Sequence, residues 1–222
     1  YTGEDTLSLH DALPISMAHK SGQGNASYHE GQVELLTPLV KAYSSDQSFR
    51  ICETAIQTLG GAGYISDYGI EQYCRDAKIF SIYEGTNGIQ AMDLVGRKLG
   101  MAGGELPWRL FAELRADLAT LPAELGAALD VLEGVTRHLQ AAGADDRAAG
   151  ASAYLRLFAT VLGGFLLARG AKAALRYPGA GGDDWPGLAA FYRASLLPPA
   201  LALATQIRAG AELLDAALLP AA

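Results

Sequence analysis

The sequence predicts an all-α fold, and three observations carry that expectation. No run of residues alternates apolar and polar with the period of two that marks a strand. Apolar residues recur instead at spacings of three and four, most plainly at Leu125, Leu129, Leu132, Val135 and Leu139. Alanine, the best intrinsic helix former, rises from 8 in residues 1–100 to 32 in residues 101–222. The alanine step divides the chain of 222 residues into two parts. We expect a first helical domain over 31–100 and a second, Ala-rich antiparallel helical bundle over 105–222, joined by a hinge-like linker at Gly100-Met-Ala-Gly-Gly104.

Residues 1–30 carry no sustained period, so a disordered or artefactual N-terminus is expected there. Asp5 to Ser16 reads like translated sequencing adapter, which would make this chain a piece of a longer protein. The next helical stretch is expected to start with Thr37 as N-cap and Pro38 in its first turn. Leu36, Val40 and Tyr43 would share one face, and Ile51, Ala55, Thr58 and Leu59 another. Gly60-Gly61-Ala62-Gly63 would stop that helix. A loop over 64–69, a short helix over 70–78 and an extended link over 81–85 follow, and Thr86 caps a helix reaching Leu99. In the second part Tyr154, Leu155, Phe158, Val161, Leu162, Phe165 and Leu166 form a wide stripe. Breaks are expected at Gly143, at Pro178-Gly-Ala-Gly-Gly182 and at Pro198-Pro199.

Charge and composition narrow the function classes. Asp plus Glu is 24 against 17 Lys plus Arg, a formal net charge of −7, which argues against general binding to nucleic acid or an anionic membrane. Cys52 and Cys74 are not spaced as a CxxC motif, and a reduced, cytoplasmic setting is expected. The four histidines show no metal-ligand spacing, so no metal site is expected. The most apolar run, Leu157 to Ala168, is too short for a membrane span of about 20 residues.

Chemistry concentrates in residues 50–99. Glu84 stands between an aromatic residue and a glycine on the link between two helices. Burial there would raise its pKa toward neutrality, as a general base working near neutral pH requires. Gly85 would let a substrate come close to the backbone. Thr86 to Gly88 open a helix whose free N–H groups suit an anionic group. Taken alone, a glutamate ahead of a helix is ordinarily a solvated or capping residue. The glycine cluster is ordinarily a helix stop, and no strand precedes it to make a dinucleotide fingerprint. These residues by themselves leave the function open.

Three motifs in order settle a resemblance: Gln57-Thr-Leu-Gly-Gly-Ala-Gly-Tyr64, Arg75-Asp-Ala-Lys-Ile79 and Ile82-Tyr-Glu-Gly-Thr-Asn-Gly-Ile-Gln90. Residues 32–99 resemble the C-terminal helical domain of the acyl-CoA dehydrogenases. Residues 105–222 resemble the extra C-terminal domain of the bacterial branch of 3-methylmercaptopropionyl-CoA dehydrogenase-like enzymes. The resemblance implies FAD as cofactor, an acyl-CoA substrate and electron-transfer flavoprotein as acceptor. It also implies a homodimer or homotetramer in the bacterial cytoplasm. It implies that Glu84 takes the α-proton of the thioester, with Tyr83 and Gly85 lining the substrate. Thr86, Asn87 and Gly88 match positions that touch FAD, and Gln57, Thr58, Leu59, Gly60 and Gly61 match a second FAD-contacting stretch. Asn87-Gly88 departs from the residues of many members at those positions. Arg75 and Asp76 are expected to form a structural ion pair. The family also needs an N-terminal helical domain and a β domain, so this chain alone is expected to be inactive. An acyl-CoA oxidase would use the same base. A non-catalytic helical oligomerisation module, including the DNA-associated AidB-like offshoot, is the reading from another class.

Overall fold

Helix α1 runs from Ala26 to Leu59 with Pro38 inside it. It opens the part of the chain that the computed structural model describes, residues 26–175 and 184–212. The adapter-like stretch, most of the expected N-terminal tail and the break at 178–182 lie outside the described residues. Residues 26–30, expected in that tail, form the first turn of α1. Thr37 does not cap a helix. Its hydroxyl donates to the Val33 carbonyl one turn back, 2.8 Å away. A proline inside a helix costs about 3 kcal/mol, yet Leu35, Leu39 and Ala42 around it are all buried. Packing of that face holds the helix through the proline. The buried face is therefore one residue away from the expected one, and Val40 is 62% exposed. Apolar pairs such as Leu35-Leu36 and Leu39-Val40 let the period fit either face, and tertiary contact chooses. The face expected at Ile51 and Leu59 is exposed.

Past Gly60 comes a single turn, α2 (Gly61–Tyr64), then a 3₁₀ turn at Ser66–Tyr68, where a loop was expected. Helix α3 spans Ile70–Ile79 and α4 spans Asn87–Gly96. The expected helix to Leu99 stops short, because the chain tightens into 3₁₀ turns over Lys98–Gly104.

The 100–104 linker is not a free hinge. Gln140 donates from Nε2 to the carbonyls of Leu99 and Gly104, each at 2.9 Å. Its Oε1 accepts from the Trp108 indole at 3.0 Å. Two of these bonds tie the ends of the linker to the following bundle, and the third fixes the amide within that bundle. Helix α5 (Leu106–Asp117) buries Leu106, Leu110, Phe111 and Leu114. Helix α6 (Glu124–Ala141) buries all five residues of its expected stripe.

Helix α7 (Ala144–Ala174) passes through the centre. It meets α1 and α4 of the first part and α6 of the second. Asp145 and Asp146 in its first turn and Lys172 in its last suit the helix dipole. Tyr154, Leu155, Phe158, Val161 and Phe165 are buried as expected, whereas Leu166 is 51% exposed. Phe158 packs on Phe111 and Tyr154, with ring centroids 5.5 and 5.8 Å apart. The Tyr154 hydroxyl lies 2.8 Å from Thr136 Oγ1.

The segment after residue 184 is helical through α8 (Trp185–Phe191), a π turn (Tyr192–Leu196), α9 (Leu197–Leu201) and α10 (Leu203–Arg208). Pro198 and Pro199 do not break it. They fall in the first turn of α9, where a missing N–H removes little. The π turn ahead of them absorbs the change of register.

One cluster of buried residues crosses the linker. It joins Leu35, Leu39, Leu94 and Val95 to Phe111, Leu132, Phe158 and Ile207. Among the described residues there is no strand. Ala144–Ala174 and Trp185–Arg208 are each long and apolar enough to cross a membrane by length and composition, so the run from Leu157 to Ala168 understated the apolar extent of α7. Of the most apolar window of α7, 67% is buried inside the protein.

Candidate functional site

The site is built on the turn between α3 and α4. The Ile79 carbonyl accepts from the N–H groups of Ile82 and Tyr83, and the Ser81 carbonyl accepts from Asn87 N–H at 3.1 Å. These bonds close residues 81–87 into a turn, where an extended link was expected. Two consecutive residues then take left-handed backbone, Glu84 at φ 54° and Gly85 at φ 82°. For a glutamate that conformation costs about 1–2 kcal/mol. Such strain persists only where the surroundings impose it.

Glu84 is exposed rather than buried. The turn projects from the helices, and no described part of this chain covers it. Its carboxylate makes no hydrogen bond or ion pair among the described residues. Tyr83 beside it is 45% exposed and leans on Phe80, 5.9 Å between centroids. A β-carbon on Gly85 would stand 3.2 Å from Gln90 Nε2.

The turn is held from beneath. Lys41 on α1 donates from Nζ to the Gly85 carbonyl at 2.8 Å and to Asn87 Oδ1 at 3.0 Å. Gln90 Nε2 donates to the Glu84 carbonyl at 3.3 Å. Asn87 Nδ2 donates to the Ala42 carbonyl at 3.1 Å and to Asp46 Oδ1 at 2.7 Å. Partial burial holds the Lys41 ammonium below its ordinary pKa, while the negative charges of Glu84 and Asp46 act the other way. Sequence reasoning missed Lys41 and the bracing role of Asn87. The available signal was Lys41 and Ser45, one helical turn apart on the face of α1 that meets the turn.

The expectation of free N–H groups at the start of α4 holds only in part. Asn87 N–H is bonded to Ser81, and Ile89 N–H to Thr86 Oγ1 at 3.3 Å in an N-cap. Gly88 N–H, on an exposed glycine, has no partner among the described residues.

The second stretch, Gln57 to Gly61, lies at the end of α1. Gln57, Thr58, Leu59 and Gly60 are exposed, and Gly60 has φ 59°. Thr58 Oγ1 donates to the Thr54 carbonyl at 2.8 Å. Thr58 and Leu59 line an open groove of about 550 Å³ along α1 with Ile51 and Ala55. Asn87 and Gly88 line a different cavity, about 270 Å³, with Asp46, Arg50, Arg156 and Gln206. The structure thus gathers Tyr83 to Gly88 on one turn and sets Gln57 to Gly61 on another surface. Arg75 pairs with Glu71, 3.0 Å away, and not with Asp76. On a helix, partners lie four positions apart, whereas adjacent residues diverge.

Family comparison agrees with the motifs. Residues 17–99 match the acyl-CoA dehydrogenase C-terminal domain, and residues 108–217 match the acetyl-CoA dehydrogenase C-terminal-like domain. The chain belongs to the acyl-CoA dehydrogenase C-terminal family. The first of the two family matches begins earlier than the boundary expected at residue 31. The chain is 37% identical over 131 residues to 3-methylmercaptopropionyl-CoA dehydrogenase of Ruegeria pomeroyi, covering 59% of this chain and 21% of that protein. It is 52% identical over 66 residues to the broad-specificity linear acyl-CoA dehydrogenase FadE5 of Mycobacterium tuberculosis, covering 30% of this chain and 11% of that one. A butyryl-CoA dehydrogenase of Syntrophomonas wolfei is 43% identical over 93 residues, 42% of this chain and 15% of the relative. The chain therefore spans about a fifth or less of the length of these relatives.

Proposed function

We propose that this chain is the C-terminal part of an FAD-dependent acyl-CoA dehydrogenase, with Glu84 as the base that takes the α-proton of an acyl-CoA thioester. The observation that carries the reading is the state of Glu84. It is an unpaired, exposed carboxylate held on strained left-handed backbone inside a family-matched motif. FAD, when bound, supplies the acceptor for the β-hydride. The residues present fit such a group in two places. Among the described residues Gly88 leaves an uncapped N–H at the start of α4. A β-carbon added to Gly61 would meet nothing within 4 Å, and its φ is not positive, so no described residue of this chain requires glycine there. Close approach of a group from outside the chain accounts for it. Gln57, Thr58, Leu59 and Gly60 would flank that approach, and Thr86 and Asn87 would flank the other.

In this reading Glu84 accepts the α-proton on its carboxylate. Tyr83 and Gly85 border the reacting carbons, and the missing side chain of Gly85 leaves room for the thioester. The N–H of Glu84 would help hold the thioester carbonyl as negative charge develops on it. Electron-transfer flavoprotein is the proposed acceptor, and a homodimer or homotetramer in the bacterial cytoplasm is the proposed setting. By itself the chain is proposed not to hold FAD, because the hollows at its two glycine-bearing stretches, which adjoin at Gln47 and Arg50, both open to the surface.

The test uses the flavoprotein that joins this chain to the segments its relatives carry. Glu84→Gln should abolish exchange of the substrate α-proton with solvent deuterium while the flavin spectrum is retained. Near-normal exchange and turnover in that variant would remove Glu84 from the role.

A further inference from the structure

We propose that Lys41 is the positioning residue for Glu84, fixing the left-handed turn that presents the carboxylate. The proposal rests on the reading of Glu84 as the base.

Among the described residues the Glu84 carboxylate accepts no hydrogen bond and forms no ion pair, so contact with Lys41 reaches it only through charge. The turn is fixed instead through its carbonyls. The Glu84 carbonyl is held by Gln90, a residue of the helix that follows at once. The Gly85 carbonyl is held by Lys41, which lies 44 positions earlier on a different helix. Lys41 is thus the tie from α1 to the strained residues of the turn, beside the bonds that hold Asn87 to Ala42, Ser45 and Asp46. Its second bond, to Asn87 Oδ1, helps Ser45 orient the amide whose nitrogen reaches the Ala42 carbonyl and Asp46. An ammonium can serve both oxygens because its three donors rotate about one point. The same charge attracts Glu84. Removing the ammonium would release the Gly85 carbonyl and let Glu84 relax from backbone it does not favour.

Two measurements test the role. In the 222-residue chain, Lys41→Met should speed hydrogen exchange of the Asn87 amide, which bonds Ser81, by about tenfold, with Leu132 and Phe158 amides unchanged. In the complete flavoprotein, the same variant should lower kcat by on the order of tenfold to a hundredfold, with KM for acyl-CoA nearly unchanged. Lys41→Arg, which restores the charge, should recover part of kcat. Lys41→Gln carries the same expectations as Lys41→Met if the methionine variant does not fold. Unchanged Asn87 exchange, or an unchanged kcat, in a folded neutral variant overturns the proposal. Glu84→Gln run in parallel keeps the two readings apart, since turnover there overturns the base assignment whatever Lys41 does.

Discussion

The Tyr192 hydroxyl stands 2.6 Å from the point where a β-carbon on Gly163 would lie. It donates to the Thr160 carbonyl at 3.1 Å and sits 3.3 Å from the Tyr43 hydroxyl. Gly163 on α7 therefore makes room for the residue that opens the π turn and links α7 to α1. Gly163→Ala should displace Tyr192 and cost about 1–2 kcal/mol. Urea unfolding checks it, and a midpoint equal to that of the parent chain would show that the ring can move aside freely.

The glycines of the Gly60–Gly63 cluster should respond differently. A β-carbon on Gly63 would meet the Ile56 carbonyl oxygen at 2.7 Å and its Cα at 2.9 Å, both backbone. Gly63→Ala should destabilise the chain by about 2–3 kcal/mol. Gly61→Ala meets open space and should leave stability within about 0.5 kcal/mol of the parent. In the complete flavoprotein the order should reverse in meaning, with Gly61→Ala weakening flavin retention. Equal thermal shifts for the two variants would contradict this division.

Alkaline pH should unfold the protein through two tyrosines. Burial pushes the hydroxyls of Tyr154 and Tyr192 well above the ordinary tyrosine range. Below an unfolded pKa of about 10 both states hold these protons, so the stabilisation is complete there. Above it the unfolded chain releases protons that the native chain keeps, and stability falls as pH rises. Tyr154→Phe should flatten that fall in urea midpoints measured from pH 8 upward. An unaltered slope would mean that other groups set the alkaline limit.

The two family-matched parts should unfold together, because one core crosses the linker. Both tryptophans, Trp108 and Trp185, lie after the linker, while Leu94, fully buried, lies before it. Leu94→Ala should lower stability by about 2–4 kcal/mol. It should shift the tryptophan fluorescence transition as far as the far-ultraviolet circular dichroism. A fluorescence transition that stays in place would show two independent units.

What could be read in advance divides along physical lines. The stripe from Leu125 to Leu139 was legible because its period admits one face only, and all five residues are fully buried. The inward face of α1 was not, since adjacent apolar pairs around Pro38 fit two faces and burial in the cluster shared with Leu94 and Leu106 decides. Pro198 and Pro199 misled because a proline pair reads as a stop, whereas a π turn upstream places them where a helix tolerates them. The motif Tyr83 to Gly88 was visible as a sequence, but its strained turn was not. That geometry depends on Lys41, and no local pattern links two residues so far apart in the chain.

The three bonds of Gln140 bear on how such a protein can be recombined. An exchange of one part for that of a relative, cut at the glycines after Leu99, would separate this amide from the carbonyls it fastens. It would also set unmatched surfaces of α4 and α7 against each other. A working chimaera would have to bring α7 along with the helices it penetrates, so the inheritable block is larger than either family-matched segment.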